Sequence, residues 1–158
     1  MSQIKFVLKT PDARLPTQES GSVGFDMYAA CSCVLPPRST TIISTGLILA
    51  DEPQVGGACI HGNLRSLLKI EGRSSLAAKG IWPVGGIIDP SYRGELGVIM
   101  YNSRDDAYDI NLHDKIAQLV WYPVVANWHE YGRRIEIMAV ESVTHTTRGA
   151  GGYGSTGV

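Results

Sequence analysis

Several stretches of this chain combine residue types that could do chemistry. Arg148–Gly157 reads RGAGGYGSTG. Its successive glycines let backbone N–H groups converge on phosphate oxygens, while Arg148, Ser155 and Thr156 add side-chain donors around Gly154. Tyr153 offers a flat face for a base. The letters Gly149-x-Gly151-x-x-Gly154 match a dinucleotide fingerprint, but no strand precedes them and no helix follows, and no lysine precedes Ser155 as a P-loop requires. The plain alternative is a frayed Gly/Ser tail.

Gly72-Arg73-Ser74-Ser75-Leu76 places an arginine and two hydroxyls at the start of a predicted helix, a setting that suits an anion or, more plainly, a helix cap. In Gly85–Gly97, paired glycines before Ile87 and Ile88 permit the close approach to backbone that a planar base would need. Asp89 follows the isoleucine pair, read as buried, and precedes a turn, so its carboxylate can sit at a pocket mouth and take a proton from water. The plain reading there is an Asp-Pro turn, with Tyr92 a packed aromatic and Arg93 and Glu95 surface charges. Asp26 stands in the apolar run GFDMYAA, where an unpaired carboxylate is costly and demands an arginine, a metal or water. Asp114, Lys115 and Gln118 flank or interrupt the run Ile116–Trp121, and a buried Gln118 needs partners. Cys31, Cys33, Cys59 and His61 can be imagined around zinc, but one-residue spacing is not a usual knuckle, and buried cysteines are the simpler reading.

Short β-branched or alternating runs must position these groups: Ile4–Leu8, Thr40–Leu49, Leu96–Tyr101, Ile116–Trp121 and Ile135–Val140. Turn signals at Pro36-Pro37, Glu52-Pro53, Gly85-Gly86 and Asp89-Pro90 separate them as in sandwiches and barrels. Asp51–Ile70 reads as a hairpin. One helix is predicted over Ser74–Lys79, stopped by Gly80. The fold class is all-β, with residues 1–143 as the domain and 144–158 as a mobile C-terminal arm. The chain has 158 residues, 44% hydrophobic and 18% charged, so it can bury a full core. With 14 basic and 15 acidic residues the net charge is −1, which leaves no overall basic field for nucleic acid. No apolar run approaches the length of a membrane span, the first residues lack a signal-peptide core, and three cysteines cannot all pair, so an intracellular setting is expected, cytoplasmic or nuclear.

Taken together, GFDMYAA, GRSSLAAKG, GGIIDPSYRGELGV, HDKIAQLV and RGAGGYGSTG resemble, in order, the motifs of the trimeric dUTPase family. That resemblance implies a jelly-roll-like β-barrel, a homotrimer with active sites at subunit interfaces, and hydrolysis of dUTP to dUMP and pyrophosphate, which keeps dUTP low and supplies dUMP for thymidylate synthesis. It implies that Asp89 activates the water that attacks the α-phosphate. Tyr92 would lie under the deoxyribose and block a 2′-hydroxyl, and the backbone of Gly86, Ile87 and Ile88 would read uracil. Arg73, Ser74, Ser75 and Gln118 would contact phosphate, and Asp26 would hold metal-bound waters and the arginine. Arg148, Tyr153, Gly154, Ser155 and Thr156 would close over base and γ-phosphate. Magnesium would be held mainly by the triphosphate, with Asp26 acting through water. The chain departs from the family at Gly72 (usually proline), Ser75 and His113 (usually glycine) and Tyr153 (often phenylalanine), and Cys59–Lys69 reads as an insertion, a plausible docking surface.

Two competitors are separated by residues. GRSSLA is closer to the dCTP deaminases, but Ile99 stands where their glutamate shuttles a proton and Ala78 where they carry an arginine. A catalytically weak relative kept as a binding or regulatory module would be expected to lose Asp89, Tyr92 or the arm, and all are present.

Overall fold

Antiparallel strands account for nearly all the regular structure of the computed structural model, which describes residues 3–51, 64–125 and 138–139. The chain divides into two units, Met1–Ala126 and Asn127–Val158, and the fold below is that of the first. In chain order the elements are β1 (Phe6–Leu8), β2 (Phe25–Tyr28), β3 (Cys33–Leu35), β4 (Ser39–Ile43), β5 (Leu47–Leu49), β6 (Leu64–Glu71), α1 (Ser74–Ala77), β7 (Ile81–Pro83), β8 (Ile87–Ile88), β9 (Val98–Asn102), β10 (Tyr108–Ile110) and β11 (Lys115–Val125). They pair as β2-β11-β6-β8, β4-β9-β7, β1-β5 and β10-β3.

Side chains alternate across a strand, and β9 shows the consequence: Val98, Met100 and Asn102 are buried while Ile99 faces outward. Val98 and Met100 join Met27, Leu35, Ile43 and Leu119 in one apolar core. At about 25 cal/mol per Å² of apolar surface, burial of such side chains is the main driving force. Asn102 is fully buried yet satisfied, its amide donating to Leu35 O at 3.0 Å and Asp106 O at 2.9 Å while its oxygen accepts from Arg104 N at 2.9 Å. Strand β2 breaks the alternation: Asp26, Met27 and Tyr28 are all buried. A strand buried at successive residues is covered on both faces, which is how a carboxylate comes to be enclosed beside a core methionine.

The run Thr40–Leu49 is divided between β4 and β5. Gly46 takes φ +65°, and the buried hydroxyl of Thr45 donates to Leu96 O at 2.5 Å, so the chain bends where β-branched composition alone predicts continuity. The predicted helix is shorter than its pattern. After Ala77 the chain tightens, with Lys79 N bonding to Leu76 O and Gly80 N to Ala77 O, before Gly80 leaves at φ +78°. Arg73, not Ser74, is the N-cap residue, and its side chain makes no capping bond. Half of the supposed insertion is regular structure. Residues 64–69 belong to β6, which β11 pairs along its length and β8 pairs only at Leu68 and Lys69. Residues 52–63, with the predicted hairpin bends at Gly56-Gly57 and Gly62-Asn63 and with Cys59 and His61, lie outside the described residues, as does Ile135–Val140 apart from Met138 and Ala139. The arm 144–158 is likewise outside them.

Candidate active site

Two clusters of predicted site residues form, one at each side of the four-stranded sheet. At the β8 edge, Ile87 and Ile88 pair with Lys69 and Leu68 of β6. The approach to that edge is made by Gly85 at φ +76° and Gly86 at φ +127°. Gly86 O accepts from Ile70 N at 2.8 Å, and a Cβ on Gly86 would stand 2.6 Å from Ile70 O. Only glycine fits there, because both the backbone angle and the neighbouring carbonyl exclude a side chain. Gly86→Ala is expected to cost about 1–3 kcal/mol and to narrow the pocket; thermal unfolding measures the loss as a lower Tm.

Behind this edge lies a pocket of about 330 Å³, lined by Gly85 through Asp89, Tyr92, Glu95 and Ile99 among others. Asp89 is exposed at its mouth, and its carbonyl accepts from Tyr92 N at 2.9 Å to close a turn. The Arg93 guanidinium braces that turn by donating to Pro90 O at 2.6 Å and Tyr92 O at 2.9 Å. Tyr92 is 48% exposed, so it is not the packed aromatic of the plain reading. Only half of the isoleucine pair is buried: Ile88 is 6% exposed and Ile87 66%, as alternation along β8 requires. Ile99, which has no proton to shuttle, lines the same pocket. Among the described residues, no lysine or arginine lines it.

On the other side of the sheet, Asp26 pairs across to Gln118, and Gln118 to Glu71, a polar row over three strands. Asp26 is 4% exposed and has the partners its burial demands. Lys115 Nζ lies 2.8 Å from Oδ2, and Arg73 Nε and Gln118 Nε2 each lie 3.4 Å from Oδ1. Arg73 also donates to Lys115 O at 3.2 Å, and Lys115 reaches Glu19 at 3.2 Å. Burial pushes the Asp26 carboxyl up, but the Lys115 and Gln118 hydrogen bonds and the charges of Arg73 and Lys115 outweigh it and hold the group below the ordinary aspartate value. Gly24 makes room for Gln118, whose Cβ would be 3.1 Å from a Cβ at that position. Ser74 and Ser75 are exposed on α1 beside Arg73. A one-turn helix adds little aligned dipole, so Arg73 and local N–H groups are the donors available there.

Position 113 shows why glycine would suit it. His113 adopts φ 68°, and it is kept there by its N–H donating to Ala29 O at 2.9 Å and a ring nitrogen 3.0 Å from Asp12 O. Asp114 accepts from Asn111 N at 2.8 Å, a turn role. Two residues that sequence reading left unassigned carry much of the geometry, Lys115 and Glu95. An acid inside an apolar strand signals that cations must converge on it, and Lys115 answers that signal; nothing local marked Glu95 as other than a surface charge. Arg148, Tyr153, Gly154, Ser155 and Thr156 lie outside the described residues.

Comparison with known proteins gives the family and the fold. The dUTPase family matches residues 12–157. The deoxyuridine 5′-triphosphate nucleotidohydrolase of Cowpox virus (strain GRI-90 / Grishak) is 34% identical, with 99% of this chain and 95% of the relative covered. That of Kluyveromyces lactis is 35% identical over the same shares. Among solved structures, the Staphylococcus bacteriophage 80alpha dUTPase with dUpNHpp superposes at TM-score 0.74 and 24% identity, covering 99% of both chains. A mutant dUTPase from phage phi11 of S. aureus, whose structure describes the coordination of a structural Mg(II) ion, superposes at TM-score 0.67 and 22% identity, covering 90% of this chain and 99% of that one. The mostly-β architecture with one short helix is therefore the dUTPase fold, and this chain belongs to the dUTPase family.

Proposed function

We propose that the chain hydrolyses dUTP to dUMP and pyrophosphate, with Asp89 as the base that prepares the attacking water. The observation that carries this reading is the glycine-walled pocket with an exposed carboxylate at its mouth. The backbone of Gly86 to Ile88 faces the uracil edge, and Tyr92 supports the deoxyribose and excludes a 2′-hydroxyl. A base positioned against its water gains from orientation as well as from proton transfer.

A triphosphate brings about four negative charges that cations must offset before water can attack. Among the described residues the pocket lining supplies none, while the cations Arg73 and Lys115, with the Gln118 amide, sit in the Asp26 cluster. This division supports a homotrimer in which a second copy presents its cluster to the pocket of the first. The outward faces of Ile42, Ile87 and Ile99 are surfaces such packing would cover. The resemblance gives Arg148, Tyr153, Gly154, Ser155 and Thr156 the role of contacting base and γ-phosphate.

Magnesium fits this donor set in one way. Both oxygens of Asp26 already accept from cationic or amide N–H groups, so the carboxylate suits hydrogen bonding to metal-bound water better than direct ligation. When bound on the triphosphate, the ion offsets phosphate charge. Asp26, for its part, orients Arg73 and holds it in the site.

Product analysis of the pure protein with magnesium and, separately, dUTP, dCTP, dTTP and UTP tests the reading. Pyrophosphate from dUTP alone is the expected result. Ammonia from dCTP would transfer the assignment to deamination, and silence from all four would leave a binding module.

A further inference from the structure

We propose that Gly94 and Glu95 are positioning residues for Tyr92, and that this step of the chain thereby sets discrimination between deoxyribose and ribose. The proposal rests on the reading of Tyr92 as the ring beneath the sugar. It begins from a steric fact. A Cβ on Gly94 would fall 2.2 Å from the Tyr92 hydroxyl oxygen, 2.4 Å from Cζ and 2.9 Å from Cε2, so the phenol end lies directly on the bare α-carbon. The hydroxyl then donates to Glu95 O at 3.3 Å. The ring is held from below by a missing side chain and at its tip by a carbonyl.

That carbonyl is itself fixed. The Glu95 side chain accepts from Ser44 Oγ, from Gly46 N at 3.1 Å and from Lys9 Nζ at 2.9 Å. Hydrogen bonding from Ser44, then from Lys9, outweighs desolvation and keeps the carboxyl below its ordinary value, so it is an anion at neutral pH. The backbone around it is tied as well, with Glu95 bridged to Ile48 and Leu96 N bonded to Leu47 O at 2.8 Å. A half-exposed tyrosine on a turn would otherwise sample several rotamers, and a steric block works only if the blocking atom stays in place. Lys9, Ser44 and Gly46 therefore act on the pocket through Glu95, although none of them is among the residues lining it.

Gly94 is not at a positive φ, so alanine is compatible with the backbone there. The obstacle is the end of an exposed side chain, which can swing away. Gly94→Ala is thus expected to fold while displacing the ring. The experiment measures kcat/KM for dUTP and for UTP in the wild type and in Gly94→Ala, Glu95→Ala, Glu95→Gln and Tyr92→Ala, at saturating magnesium. The ratio of the two values cancels any loss of folded enzyme, so a merely structural defect leaves it unmoved. The ratio is expected to fall at least about tenfold in Tyr92→Ala and Gly94→Ala. It should fall in Glu95→Ala too, and recover substantially in Glu95→Gln, whose amide oxygen still accepts from Gly46 N. If Tyr92→Ala lowers the ratio and both Gly94→Ala and Glu95→Ala leave it at the wild-type value, the positioning role is overturned while the role of Tyr92 stands. If Tyr92→Ala itself leaves the ratio unchanged, the reading of the ring fails and takes this proposal with it. Should Gly94→Ala not fold, the two Glu95 variants decide the question.

Discussion

Asp89→Asn is expected to lower kcat for dUTP by roughly 10²–10⁴-fold, the usual contribution of a positioned general base, while affinity for a non-hydrolysable dUTP analogue stays close to wild type. The side chain is exposed at the pocket mouth, and the bond that shapes its turn runs from Tyr92 N to the Asp89 main-chain oxygen. The amide keeps the size of the carboxylate and leaves that bond intact, so the change removes basicity and little else. Stability should move by no more than about 0.5 kcal/mol, as for other exposed substitutions. Titration calorimetry with the analogue and steady-state kinetics separate the two effects. Unchanged turnover would remove Asp89 from the role of base, and lost binding would make it a substrate ligand instead.

The second large effect is on stability. Asp26→Ala strands Arg73 and Lys115 against each other without their shared counter-charge. Breaking a buried pair by deleting one partner costs about 3–5 kcal/mol; Arg73 and Lys115 keep some contact with water, so the lower end is expected. Denaturant unfolding gives the number, and a loss under about 1 kcal/mol, the size of an exposed pair, would mean the cluster contributes little. The pH dependence follows from the direction of the carboxyl's shift. The native group titrates below the ordinary value of 3.8, so its stabilisation is complete above that value and is lost as pH falls through the lower native one. The difference in Tm between the wild type and Asp26→Asn should therefore be constant from about pH 7 to about 5 and shrink as pH falls below 3.8. A difference that grows on acidification would contradict the assignment. The Glu95 and Asp106 carboxyls are also held below their ordinary values, which is why the comparison must be made within the Asp26 pair.

Much of this was readable in the residues. The alternation of Ile4–Leu8 and the β-branched density of Ile116–Trp121 each overlap a strand, and the latter run extends through Val125 because β6 pairs with it along that length. Glycine signals located the turn before β8 and the end of the helix. The short strands Cys33–Leu35, Ile81–Pro83 and Tyr108–Ile110 escaped, since three residues carry too little periodicity to stand out from a loop. Asp26 announced its need for cations, and Gln118 its need for a partner, because burial of either is costly alone. Glu95 announced nothing. Its partners lie at positions 9, 44 and 46, and only the closed fold brings them to it. Ser74 looked like a cap by type, but the helix begins one residue earlier, where an extended arginine leads in.

The contact between Gly86 and Ile70 has a consequence for how such a protein can diverge. The two strands meet there through main-chain atoms, with a carbonyl against a bare α-carbon. A wall built that way carries little of its shape in side chains. Ile87 points its side chain away from that contact, whereas every replacement at 86 adds an atom where a carbonyl already stands. Relatives that share about a third of their residues with this chain can thus keep one pocket outline while rewriting most of the surface around it. Along this stretch of wall, point mutation reaches the outline chiefly through a single glycine, which leaves that part of the pocket few evolutionary routes to a new shape.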